Sequence, residues 1–119
     1  MTADGFCLIV RQGIKKGDLE TFRTNAEKLT SMVENTEPDT LCYDWYVNEN
    51  GTDCYLIETY VNSDAFLLHL AHLTEVLRSL PATGPITEVL VFGSPSAQAR
   101  EALAGMGPKF FPLLVGCTR

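Results

Sequence analysis

The chain has 119 residues and a mass of 13.1 kDa, the size of one domain that buries a core without metal or disulfide support. Hydrophobic residues make up 45% and charged residues 20%, with no low-complexity stretch, which excludes a disordered chain. A net charge of -6, a pI near 4.7 and no basic run longer than Lys15-Lys16 oppose nucleic acid and anionic membranes as partners. A single domain over residues 1-119 is expected, with a core at about 6-93 and an extension at 94-119. The first residues carry no basic segment followed by an apolar one, and no run reaches about eighteen apolar residues, so cytoplasmic residence is expected.

Phe6 to Gln12 reads as the first strand, closed by Gly13 and the turn Lys16-Gly17-Asp18. From Asp18 to Glu34, Leu19, Phe22, Ala26, Leu29 and Val33 recur at three- and four-residue steps, which predicts an amphipathic helix ended by Pro38. Arg23 and Glu27 would form an ion pair on its outer face. Leu41 to Asn48 and Asp53 to Val61 flank Asn50-Gly51 and predict an antiparallel hairpin. With Asn50 and Gly51 as the loop, Tyr43 faces Glu58, Trp45 faces Leu56, Leu41 faces Tyr60 and Cys42 faces Thr59. That register gives Cys42 no disulfide partner in Cys54, and the four cysteines, with no C-x-x-C spacing, read as reduced thiols.

Asn62-Ser63-Asp64 offers an N-cap to a second helix whose stripe is Phe66, Leu70, Leu73, Leu77 and Leu80, ending at Pro81. Ile86 to Phe92 returns to strand character. The order is that of an α+β, ferredoxin-like β-α-β-β-α-β fold with an antiparallel sheet. Ser94-Pro95-Ser96 can start a short helix through Leu103, so a C-terminal helical extension is expected, with an apolar stretch from Phe110 to Val115. Both faces of the hairpin are largely apolar. Two helices cover one face of a thin sheet, so a second copy of the chain is expected on the other, making a homodimer.

Several side chains are candidates for chemistry. His69 stands on the flank of the second helical stripe and can look toward the sheet as a proton acceptor; the alternative is a partly buried histidine bonded to backbone or water. His72 forms an H-x-x-H pair with it, but the sequence places no third ligand nearby, so no metal site is expected. Glu58 interrupts an apolar face opposite the Tyr43 hydroxyl, either as a base of raised pKa or as a structural hydrogen-bonding group. Arg11 is its candidate charge partner, unless the guanidinium reaches solvent. Tyr43, Trp45, Tyr46, Tyr55 and Tyr60 concentrate aromatic surface in the hairpin, enough to floor a pocket for a flat ligand or to fill a core. No phosphate-cradling loop, dinucleotide fingerprint or G-x-S-x-G elbow is present.

Three segments in this order resemble the antibiotic biosynthesis monooxygenase family of dimeric α/β barrels: Lys16-Gly17-Asp18-Leu19-Glu20-Thr21-Phe22, Leu56-Ile57-Glu58-Thr59-Tyr60, and Asn62 to His69. The resemblance covers about residues 6-92, and the tail resembles an extension carried by a subgroup of such proteins. It implies a dimeric barrel and, for members that are enzymes, oxidation of phenols or quinols by molecular oxygen with no flavin, metal or other cofactor. The pocket would lie between sheet and helices. His69 matches the family's helix-two histidine and Glu58 its strand-three glutamate; Tyr60 stands where many relatives carry Trp, and Thr74-Glu75 where a later histidine is frequent. The Asn, Trp and His set of haem-degrading relatives has no counterpart. The resulting expectation is a cofactor-independent monooxygenase for a small aromatic or apolar ligand, with His69 catalytic and Tyr43, Trp45, Glu58, Tyr60, His72 and Arg11 around the substrate. The alternative is a non-catalytic dimeric barrel that binds a small apolar ligand or serves a stress-responsive or regulatory role.

Overall fold

The computed structural model describes residues 4-119. In chain order they form β1 (Phe6–Gly13), α1 (Leu19–Thr36), β2 (Thr40–Val47), β3 (Asp53–Tyr60), α2 (Ser63–Leu77), β4 (Ile86–Gly93), α3 (Ala97–Leu103), a 3-10 turn (Ala104–Met106) and β5 (Pro108–Phe111). The sheet order is β2-β3-β1-β4-β5. The first four strands pair antiparallel in the ferredoxin-like arrangement, and β5 joins parallel to β4. The expected helical extension is therefore half strand. A parallel neighbour needs a crossover, and α3 supplies it, capped by Ser96 accepting from the Ala99 N–H. Arg100 then lies 3.8 Å above the Phe110 ring and ties the crossover to the new strand.

The hairpin keeps the predicted register from Cys42 onward, with Tyr43 opposite Glu58 and Trp45 opposite Leu56. Its loop is longer than the two residues expected. Asn48 accepts through Oδ1 from the backbone N–H groups of Thr52 and Asp53, and Gly51 takes a positive φ of 69°, so residues 49-52 close the turn. The far end also differs: the register shifts between Thr40 and Cys42, Thr40 takes the place opposite Tyr60, and Leu41 turns outward, 57% exposed. On α1 the ion pair forms between Arg23 and Glu20, at 3.6 Å, rather than with Glu27.

Alternation along the strands sorts their side chains. Phe6, Leu8, Val10, Tyr43, Leu56, Tyr60, Val89 and Val91 share one buried cluster with Leu29 and Val33 of α1, Ala65 and Phe66 of α2, and Ala99 and Leu103 of α3. The opposite parity carries a row in which Ile9 stands between Ile57 and Leu90, and a second in which Cys7 stands between Thr59 and Phe92. Phe92 stacks on Phe111 with centroids 5.3 Å apart. These side chains are half-buried or exposed, so the helices leave this second apolar face uncovered. Among the described residues no helix is long and apolar enough to cross a membrane.

Candidate active site

A cavity of about 490 Å³ opens between the inward sheet face and the helices. Its walls are mainly apolar: Leu8, Val10 and Leu56 from the sheet, Phe22 and Leu29 from α1, Phe66, Leu70, Leu73 and Leu77 from α2, and Leu103 and Met106 beyond them. The segment Leu80-Pro81-Ala82-Thr83-Gly84 forms the rim, held by Asn25 donating to the Pro81 carbonyl at 3.0 Å and by Lys15 N–H donating to the Thr83 carbonyl at 2.9 Å. Gly84 is required there, because a Cβ would stand 1.8 Å from the Gly13 carbonyl oxygen.

The polar groups of the cavity gather at one end. His69 is 1% exposed, with its ring edge-on to Tyr43 at 5.0 Å and tilted against Tyr60 at 5.8 Å. Asn62 places it by capping α2 through the Ala65 N–H, which sets the phase at which His69 turns inward with Phe66. The Nδ1 atom lies 2.9 Å from Oε1 of Glu37, a buried residue at the C-terminal end of α1. The Nε2 atom is buried and has no hydrogen-bond partner among the described residues. It lies 3.6 Å from Oε1 of Glu58, too long for a hydrogen bond. Tyr60 donates its hydroxyl to that same Glu58 oxygen. Trp45 forms the adjoining wall, edge-on to Phe22 and Tyr43, with its indole N–H donating to Thr30 at 3.0 Å.

Burial pushes the Glu58 carboxyl above its ordinary range, opposed by His69 and by the Tyr60 hydrogen bond. Burial, then the neighbouring Glu58, also pushes the Tyr43 and Tyr60 hydroxyls up, so both remain donors. The buried Nε2 of His69 and a carboxyl pushed toward its acid form thus lie 3.6 Å apart in an apolar pocket. Burial lifts the Cys54 thiol to about 11, which leaves it unreactive at neutral pH.

The structure brings His69, Tyr43, Trp45 and Glu58 together on the cavity wall. Tyr60 stands behind Glu58. Three expectations are corrected. Arg11 does not pair with Glu58; it has the outward parity of Cys7 and Ile9 and makes a two-pronged ion pair with Asp53, the shortest contact 2.7 Å. The Tyr43 hydroxyl is likewise not the bonded partner of Glu58, although the two stand opposite in register. His72 faces away from the cavity, one-third exposed, with Nδ1 2.8 Å from Glu37 Oε2. Glu37 was missed by sequence reasoning: at the end of a helix whose outer face is charged, it reads as a solvated carboxylate.

This arrangement of sheet and helices is the fold seen in solved antibiotic biosynthesis monooxygenase-type structures. MupZ from Pseudomonas fluorescens superposes with a TM-score of 0.87 at 25% identity, over 97% of this chain and 94% of its own. That coverage includes the C-terminal extension. SnoaB, a cofactor-independent oxygenase from Streptomyces nogalater, gives 0.65 at 16% identity over 80% of this chain and 97% of its own. A candidate antibiotic biosynthesis monooxygenase from Bacteroides thetaiotaomicron gives 0.64 at 16% identity over 72% and 85%. No family model and no curated protein sequence matches the chain.

Proposed function

We propose that this protein is a cofactor-independent monooxygenase acting on a phenol- or quinol-type aromatic molecule held in the cavity, with His69 as proton acceptor. The observation that carries the reading is the Nε2 atom of His69, buried, unpartnered and set in the wall of an apolar cavity large enough for a small organic molecule. A phenol that loses its proton to Nε2 becomes electron-rich enough to reduce molecular oxygen itself, and the protein has only to supply a base and exclude water. Tyr43 and Trp45 flank the ring of the substrate, and Glu58, backed by Tyr60, donates toward its oxygen. The fold shared with SnoaB supports this reading. A side-chain-filled interior would have favoured a non-catalytic barrel, and the cavity beside His69 weighs against it.

The test is oxygen uptake with a panel of anthrones, naphthols and quinols. Uptake with at least one of them, without added flavin or metal, is the expected result, and none across the panel overturns the reading. A second reading has its own support in Glu58, which favours its acid form opposite an imidazole base. Such a pair also performs isomerisation, addition or elimination without oxygen. Turnover that persists under anaerobic conditions would select it.

We propose further that the protein works as a cytoplasmic homodimer through its uncovered sheet face. The rows around Ile9 and Cys7 are mainly apolar, with Thr59 and Asp44 among them, and a second copy buries both at once. Light scattering at micromolar concentration is expected to give twice 13.1 kDa. A mass near 13.1 kDa would sink the claim.

A further inference from the structure

Glu37 lies outside the cavity, yet it is more enclosed than most of the residues that line it, with a side chain 1% exposed. Its Oε1 takes the Nδ1 side of His69 at 2.9 Å and the Thr40 hydroxyl at 3.0 Å, while Oε2 takes Nδ1 of His72 at 2.8 Å. On its other side is a shallow surface cleft lined by Asp39, Thr40, Asn62 and Asp64. Glu37 therefore has no contact with anything bound in the cavity. Whatever it does for chemistry passes through His69.

We infer that Glu37 is the positioning residue of His69 and that His72 is the clamp that holds Glu37. A carboxylate offers acceptors only, so each imidazole facing it must present Nδ1–H. That leaves the lone pair of His69 on Nε2, the atom aimed at the cavity. When the bond between a cavity molecule and its proton breaks, the proton binds Nε2, the molecule keeps the electron pair and the ring becomes an imidazolium. Glu37 stays a carboxylate and balances that charge at the opposite edge of the ring. His72 carries no proton to or from the cavity; it fixes the second oxygen, so the carboxylate plane cannot turn away from His69. This inference rests on the proton-acceptor role proposed for His69, and its first test needs no turnover.

Glu37→Gln keeps the shape of the side chain but has one acceptor and one donor for two imidazoles. In ligand-free wild type, 15N spectra of the histidine rings are expected to show both His69 and His72 protonated on Nδ1. In Glu37→Gln the amide nitrogen can only donate, so the ring that faces it is expected to move toward the Nε2–H tautomer. A wild-type His69 with its proton on Nε2, or a Glu37→Gln variant in which both rings keep Nδ1–H, overturns the assignment whatever the oxygen assay shows. With a turned-over substrate, kcat of Glu37→Gln is expected to fall by at least about 100-fold, toward the roughly 10⁴-fold cost of turning the carboxylate behind a general-base histidine into an amide. Affinity for 1-naphthol as a cavity probe should be unchanged. An unchanged kcat, or a loss confined to affinity, also overturns it.

Discussion

His69→Ala is expected to lower kcat/KM for an accepted phenol or quinol by about two to four orders of magnitude, the range a positioned general base contributes. The size of the effect follows from the lack of a substitute. Glu58 lies 3.6 Å from the vacated Nε2 position, but burial holds it toward its acid form, so it is poorly placed to accept a proton. The Tyr43 and Tyr60 hydroxyls, pushed up for the same reason, are donors rather than bases. Truncation also removes a ring packed edge-on against Tyr43, and the cavity widens at its polar end. Oxygen uptake measured across substrate concentrations checks this. Turnover equal to wild type would remove His69 from the mechanism, and a change confined to KM would reduce it to a wall of the pocket.

The parts of this site that sequence reveals are those governed by short-range periodicity. The phase of α2 follows from Asn62 as cap and the Phe66, Leu70, Leu73 stripe, and it carries His69 inward. The hairpin register follows from Asn50-Gly51 even though the turn takes four residues, because lengthening both arms of the loop equally leaves the pairing unchanged. Strand parity held further information. Glu58 and Tyr60 are two apart on β3 and share the inward face with Tyr43, so parity brings both hydroxyls to the carboxyl and packing selects Tyr60. Arg11 has the parity of Ile9, which places it on the face opposite Leu8 and Val10. Glu37 had no such signal. Its partners lie 32 and 35 residues further on, and only the packing of α1's end against α2 brings the three together. The pairing of β5 with β4 is equally non-local: the run from Phe110 is apolar enough for a strand or a buried helix, and the crossover through α3 decides.

Glu58→Gln is expected to be more stable than wild type at pH 7, and the difference should vanish toward pH 4. An unfolded glutamate ionises near about 4.3. Burial raises the value in the folded chain, so between the two the native state keeps a proton that the unfolded chain has released. Folding then takes up a proton, and wild-type stability falls as pH rises through that window and stays lower above it. Each unit by which the folded value exceeds the unfolded one is worth about 1.4 kcal/mol. Glutamine cannot ionise. Its carbonyl can accept from Tyr60 as the carboxyl does, so the buried hydroxyl keeps its partner. Thermal melts from pH 4 to 8 should show wild type losing roughly 4 °C or more relative to Glu58→Gln across the window. Asp53 does not mask the effect, because its partner Arg11 depresses its ionisation below the ordinary carboxylate range, so its contribution is lost only as pH falls further. Parallel melting curves for the two proteins would mean that Glu58 ionises in the fold as freely as in solution. The acid role assigned to it opposite His69 would then fail, and with it the oxygen-independent reading of the site.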